Sequence, residues 1–216
     1  MRKSMALLAV AIGVLVSAPA FAAVVFNNFG PGDDYIGGGG NPVGVVSGNN
    51  YAWADRFESL VDGQVTRITT ALVVDSASAD VVTLTLYANE SNAPGAVLWS
   101  QTFTNEMTYT YGETGVVDIL GPTLTTGTSY WLAAYTPNPN RLTWHYNTIG
   151  DIVPAYAELA QSYNGGAWVT MNAKRHAFRI ETGTTPEVPE PVSLAFFATG
   201  LAGVAGFAAR RRIRAA

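Results

Sequence analysis

Alternation of apolar and polar side chains in short runs is the feature that most constrains how this chain folds. Over residues 81–87, Val82, Leu84 and Leu86 are aliphatic, and threonines lie between them. Successive side chains of a β-strand point to opposite faces of a sheet, so this run predicts a strand with one face in a core. No long stretch keeps the 3.6-residue period of an amphipathic helix, and the chain is therefore predicted to be all-β.

Similar runs rich in Val, Thr, Leu, Tyr and Trp recur along the chain, separated by Gly, Asn, Pro and Asp. Turn signals occur at residues 62–63 and 92–95, and the glycines at 37–40 are predicted to lie in a loop. So many short strands predict a jelly-roll-like β-sandwich. The further predicted strands are 24–29, 52–57, 65–74, 97–103, 116–119, 130–135, 142–146, 167–169 and 178–181.

The first residues have the three parts of a secretory signal peptide. Arg2 and Lys3 precede an uncharged apolar run over residues 5–16, and the small residues Ala20 and Ala22 follow it. That run is shorter than the roughly 20 residues that a spanning helix needs. The alternative, a buried N-terminal helix, does not require a basic start or a small-x-small end. Cleavage is predicted after Ala22, which makes residues 1–22 the signal peptide.

An uncharged run of mainly Ala, Gly, Leu, Val and Phe covers residues 192–209, and a basic cluster follows at once. The run predicts a short transmembrane helix, because no polar face suits it to water. Basic residues beside a span stay in the cytoplasm, so 210–216 is predicted to be a cytoplasmic tail and the body to face outward from the inner membrane. The basic cluster comprises Arg210, Arg211, Arg212 and Arg214.

The order Pro189-Glu190-Pro191, apolar helix and arginine cluster resembles the PEP-CTERM sorting signal, also known as the ice-binding protein C-terminal motif. The resemblance covers roughly the last 30 residues. It implies recognition by an exosortase, a membrane transpeptidase that cuts near this motif and removes the helix. It does not imply ice binding. The Gly, Thr and Pro residues of 183–191 separately predict an extended linker between the body and the membrane. An exported bacterial envelope protein that reaches the cell surface or extracellular matrix is expected.

The predicted exported body, residues 23–182, has a second resemblance. Leu86-Tyr87, the segment 93–98 (APGAVL) and the segment 127–132 (GTSYWL) are similar to motifs of the choice-of-anchor domains, which are exported modules often found ahead of such a tail. This resemblance covers about residues 57–182 and implies a jelly-roll-like fold. It implies no established chemistry.

Charge and cysteine content exclude several functions. Of 12 Lys and Arg residues, six lie in the two targeting segments, whereas all 16 Asp and Glu lie between them, so the exported part carries 6 minus 16, or −10. Nucleic-acid affinity comes largely from basic residues on phosphates, so no nucleic-acid partner is expected. The absence of Cys excludes a disulfide framework, a thiolate zinc site and a cysteine nucleophile.

Catalytic motifs are scarce. His145 and His176 are the only histidines, and neither lies in a His-Glu-x-x-His pattern or beside a Gly-x-Ser-x-Gly elbow. Paired-carboxylate glycan hydrolysis stays open, because side chains distant in sequence could meet across strands. The chain is predicted not to be an enzyme. The candidate carboxylates for the alternative are Asp55, Glu58, Glu90 and Glu158.

Two sets of residues suggest binding instead. Asp33 and Asp34 lie in a Gly-rich segment, and oxygen-rich loops suit calcium, although a solvated turn is the alternative. Trp144 and Trp168 are candidate glycan-binding residues, because sugar rings stack on flat aromatic side chains. Trp144 has polar neighbours, and Trp168 follows an Asn-Gly-Gly turn. The alternative is that both tryptophans fill the core.

The sequence thus predicts an exported β-sandwich that is structural or adhesive in an exopolysaccharide layer. The alternatives are a carbohydrate-binding module and a secreted glycan hydrolase. A sugar-binding module requires solvent-facing aromatic side chains in one plane, whereas a hydrolase requires carboxylates that converge in a cleft.

Overall fold

A computed structural model describes residues 22–75, 80–137, 140–149, 159–171 and 174–183. The predicted signal residue Ala20, the sorting motif Pro189-Glu190-Pro191, the helix 192–209 and the arginine cluster lie outside these ranges. Within the described ranges, no helix has the length and apolar character needed to cross a membrane.

The described residues form an all-β protein, as the sequence predicts. Its strands pair antiparallel and carry the labels β1 to β14 in chain order. They are β1 Ala23–Asn27, β2 Tyr35–Val46, β3 Asn49–Glu58, β4 Gly63–Thr70, β5 Leu72–Val74, β6 Val81–Glu90, β7 Ala93–Thr104, β8 Gly115–Asp118, β9 Thr123–Leu124, β10 Ser129–Tyr135, β11 Arg141–Asn147, β12 Leu159–Tyr163, β13 Val169–Met171 and β14 Phe178–Thr182.

These strands are divided between two sheets. The smaller sheet has the order β1-β14-β4-β8, with β9 also paired to β4. The larger sheet has the order β5-β11-β2-β3-β10-β6-β7, and β12 pairs with both β3 and β13. The first residue of β1, Ala23, lies opposite Thr182 at the end of β14. This pair brings the first and the last of the described strands together.

The core lies between the two sheets, as in a β-sandwich. From the larger sheet, the aliphatic positions of β6, Val82, Leu84 and Leu86, are fully buried, which confirms the predicted alternation. Ile68 and Ile180 of the smaller sheet belong to the same apolar cluster. Burying a side chain of this size contributes about 1.5–3 kcal/mol each.

The single strand predicted over residues 65–74 is wrong, because the chain changes sheets at Ala71. β4 before this residue lies in the smaller sheet, and β5 after it lies in the larger one. The Ala71 N–H donates to the Ala177 carbonyl at 3.1 Å, and its carbonyl accepts from the His145 N–H at 3.0 Å. No turn residue marks the break in the sequence, and residues on both sides of it are buried.

The loop predicted for the glycines at 37–40 is also wrong, since all four lie in β2. Gly40 pairs with His145 of β11. A Cβ atom on Gly40 would lie 2.5 Å from the Trp144 carbonyl oxygen. Glycine is therefore required here for close approach of two backbones, which is a role that glycine also has within strands.

Candidate functional site

An open groove of about 280 Å³ lies on the face of the larger sheet that points away from the core. Three aromatic side chains line it, namely Tyr87 of β6, Tyr135 at the end of β10, and Trp168 just before β13. The remaining lining side chains are small. They are Ala52, Thr85, Ala133, Ser162, Gly165 and Gly166.

Strand alternation explains why these residues share a face. In β10, Leu132 and Ala134 belong to the main core, whereas Trp131 and Ala133 belong to a separate apolar cluster on the other face. Tyr135 is in phase with that second set and is 40% exposed. The register pairs Tyr87 with Trp131, which brings the Tyr87 ring onto the same face. Small side chains between the rings leave the groove open.

Trp168 reaches the groove through a hairpin. β12 and β13 pair antiparallel, and Asn164 and Gly165 between them have φ values of 52° and 73°. Positive φ at two consecutive turn residues is typical of a type I′ turn, which favours Asn-Gly. The Ser162 hydroxyl donates to the Gly166 carbonyl at 2.7 Å. The hairpin holds the half-buried Trp168 ring edge-on to Tyr87, with ring centroids 5.9 Å apart.

The groove offers apolar ring faces and hydroxyl groups. Its lining includes no Asp, Glu, His, Lys or Arg among the described residues. Burial raises the pKa of the Tyr87 phenol, and the Thr85 hydroxyl partly offsets this, so the phenol is neutral at pH 7. The lining therefore suits binding of an uncharged, partly apolar ligand and provides no acid–base pair.

Trp144 does not belong to this groove, and its prediction as a glycan-binding residue is corrected. Its side chain is fully buried in the main core. Its indole N–H donates to the Ala177 carbonyl at 3.1 Å, and its ring stacks on His176 with centroids 4.7 Å apart. A ring enclosed on both faces offers no surface to a sugar. Trp168 keeps the exposure that stacking requires.

The fully buried His176 and Asp55 belong to a polar network that includes the half-buried Asn41 and Tyr146. The Tyr146 hydroxyl donates to Asn41 Oδ1 at 2.8 Å, and Asn41 Nδ2 lies 3.1 Å from His176 Nε2. With Asn41 as donor, His176 carries its proton on Nδ1 and donates to Asp55 Oδ2 at 2.6 Å. The His176 backbone N–H donates to Asp55 Oδ1 at 3.0 Å. Both ring nitrogens of His176 therefore have partners within the protein.

His145 is also buried, on the other face of β11. Its Nδ1 lies 3.1 Å from the Ile36 carbonyl oxygen and 3.2 Å from that of Gly39. Carbonyl oxygens only accept, so Nδ1 carries the proton. Burial lowers the pKa of this imidazole, which favours its neutral form.

The candidate hydrolytic carboxylates do not converge where the structure describes them. Asp55 is fully buried against His176, whereas Glu58 on the same strand is exposed. Glu90 accepts a hydrogen bond from the Ala96 backbone N–H within the β6–β7 hairpin, at 2.9 Å. Glu158 lies outside the described residues. A cleft built from these groups is therefore absent in the described part of the chain.

The calcium site predicted at Asp33 and Asp34 stays a prediction, because the two carboxylates by themselves supply too few ligands and one of them has a cationic partner. Asp33 accepts from the guanidinium of Arg179, which already neutralises it, and Asp34 is exposed. Across the described ranges, no group of three or more His, Asp or Glu side chains could hold a metal ion. A cation at Asp33 would have to displace the arginine. The alternative that the sequence left open, a solvated turn, fits this segment better.

Tyr87 and Tyr135 are candidate binding residues that the sequence pattern did not predict. The alternation of side chains along each strand carries the relevant information. In β6, Tyr87 occupies an outward position, as Thr83 and Thr85 do. Tyr135 likewise occupies the outward phase of β10. Only the cross-strand register shows that the two rings flank one floor.

The chain was compared with family models, curated proteins and solved structures. No family model and no curated protein matches the chain. A similar solved structure is that of the Gx strain of infectious bursal disease virus, with 8% identity and a TM-score of 0.28. The match covers 77% of this chain and 37% of the viral chain. A TM-score this low supports no argument about fold or function.

Proposed function

We propose that this chain is an exported, exosortase-processed protein of the cell surface or extracellular matrix, and that its jelly-roll-like sandwich adheres to a glycan. The observation that carries the proposal is the groove flanked by Tyr87, Tyr135 and Trp168 on the outer sheet face. No catalytic step is part of the proposal.

The chemistry of the groove supports a sugar ligand. Aromatic side chains pair an apolar ring face with a polar tip, as in the two tyrosines, and sugar rings combine apolar C–H faces with hydroxyl groups. Thr85 and Ser162 add hydroxyl groups between the rings. The Tyr87 and Trp168 rings are nearly perpendicular rather than in one plane, so they form walls of a groove and not the flat platform expected of a sugar-binding module. A floor of alanines leaves room for a sugar ring to approach these walls.

The strand arrangement is compatible with export. Cleavage after Ala22 would make Ala23 the first residue of the mature chain, and β1 begins there. Signal removal would therefore leave β1 intact at the edge of the smaller sheet. At the other end, β14 ends at Thr182, next to the predicted linker that leads to the sorting motif.

Binding is tested by co-sedimentation of the purified full-length protein with insoluble polysaccharides. Tyr135→Ala should reduce the bound fraction, because it removes an exposed wall of the groove. Tyr109→Ala is the matched control, since Tyr109 is 55% exposed but outside the groove. Equal loss in the two variants, or no binding by the wild-type protein, would contradict the proposal.

Processing is tested by mass spectrometry of envelope protein from cells with a working exosortase. The expected mature form begins at Ala23 and lacks residues 192–216. Changing Arg210, Arg211, Arg212 and Arg214 together to Ala should also weaken membrane retention and orientation. Recovery of only the intact tail would identify the segment as a permanent anchor.

A further inference from the structure

The groove floor continues across the strands as a row of small side chains. Thr85 lies opposite Ala133, and Ala133 lies opposite Ala54 in the next strand. On the other side of β6, Thr85 lies opposite Ser100 of β7. Strands in a sheet are about 4.8 Å apart, so this row over four strands is about 14 Å long. It is long enough to contact more than a single sugar ring.

Next to the part of the row that the three aromatic side chains of the groove flank, hydroxyl side chains pair across β6 and β7. Thr83 and Thr102 share a hydrogen bond of 2.7 Å between β6 and β7, and Thr85 and Ser100 share one of 2.9 Å. Ser100 and Thr102 are exposed. We refer to these four residues as the hydroxyl ladder. A Ser or Thr hydroxyl can both donate and accept a hydrogen bond, so the ladder can act as donor or as acceptor towards sugar hydroxyls.

Two charged side chains near the groove, Arg56 and Glu90, form hydrogen bonds with residues outside its lining. After Ala54, the next outward position of β3 is Arg56, whose guanidinium donates to Asn92 Oδ1 at 2.8 Å. Glu90 at the end of β6 is engaged by the Ala96 N–H. A carboxylate on a ligand would lose hydration in the groove without a cation in its lining. The acidic exported body would repel it further.

We infer that the groove and the hydroxyl ladder together bind an internal stretch of an uncharged glycan chain that runs across β10, β6 and β7. This inference rests on the proposed glycan-binding function and narrows it to a ligand class. The aromatic walls hold one part of the chain, and the ladder binds the next part through hydroxyl pairs. Acidic polysaccharides are excluded as preferred ligands.

The test compares a neutral glucan with a uronic-acid polymer, using affinity electrophoresis of the full-length protein at low and high salt. We expect binding to the glucan at least tenfold tighter than to the uronate, and nearly independent of salt. Tighter or equal binding to the uronate would overturn the inference while leaving glycan binding intact. Binding to neither polymer would overturn the proposed function itself.

The ladder is tested with the double variant Ser100→Ala and Thr102→Ala. We expect it to weaken glucan binding several-fold. Gln101→Ala is the matched control, because Gln101 is exposed on the same strand but points to the opposite face. Unchanged affinity in the double variant, with its folding verified by a thermal melt, would overturn the ladder's part in binding.

Discussion

Replacing Asp55 by Ala probes the buried polar pair that links the two sheets. Asp55 lies on β3 of the larger sheet, and His176 lies two residues before β14 of the smaller sheet. Both side chains are fully buried. The carboxylate accepts from the His176 backbone N–H and from its ring Nδ1–H, so alanine leaves two buried donors without an acceptor.

The expected loss follows from those two donors. A buried donor left unsatisfied costs about 1–3 kcal/mol, so the two donors together cost roughly 2–6 kcal/mol. We therefore expect Asp55→Ala to lower the free energy of unfolding by roughly 2–6 kcal/mol. Asp55→Asn should lose less, because its amide oxygen still accepts one hydrogen bond. Against a typical total of about 5–15 kcal/mol, this loss is a large fraction of the stability of the protein.

The assay is urea unfolding followed by tryptophan fluorescence, in which a lower midpoint with an unchanged slope reports lost stability. Asp118→Ala is the control, because Asp118 pairs with Arg67 on the surface and should cost less than about 1 kcal/mol. Equal losses in Asp55→Ala and Asp118→Ala would refute the reasoning. So would a wild-type-like midpoint for Asp55→Ala.

Three further predictions concern backbone packing, pH and calcium. Gly40→Ala should lower the urea midpoint strongly, whereas Gly38→Ala, whose added Cβ meets no atom within 4 Å, should change it little; equal effects would contradict the close approach of β2 and β11. Burial lowers the pKa of His145, so the unfolded chain takes up a proton at a higher pH than the folded protein, and stability should fall as pH drops below about 6.5. His145→Gln should make that decline shallower in melting curves measured at several pH values, and an unchanged slope would contradict it. Chelator or added calcium should leave the melting temperature unchanged, because Arg179 already neutralises Asp33, and a rise with calcium would revive the metal site.

Strand type could be predicted wherever only one face of a strand is buried. The alternation in β6 identified Val82, Leu84 and Leu86 as core residues. When one face of a strand is buried, every second residue is apolar, and this period of two is visible in the sequence. The same logic fails for β2, whose glycines carry no pattern, and at Ala71, where buried residues on both sides conceal the change of sheet.

The candidate site was less predictable, because long-range register forms it. Trp144 and Trp168 both follow polar turns, yet Trp144 points into the core and Trp168 to the outer face. A one-residue shift in phase reverses the side on which a side chain lies. No local signal relates Trp168 to Tyr87 and Tyr135, since pairing of β12 with β3 and of β10 with β6 brings them together.

The central claim, that the outer groove binds a glycan, is tested most directly by titrating a soluble neutral oligosaccharide into the full-length protein and measuring heat. Trp168→Ala should weaken binding about tenfold, or ~1.4 kcal/mol, with Trp168→Phe intermediate. Tyr109→Ala, outside the groove, should bind as the wild-type protein does. Wild-type affinity in a folded Trp168→Ala variant would contradict the account.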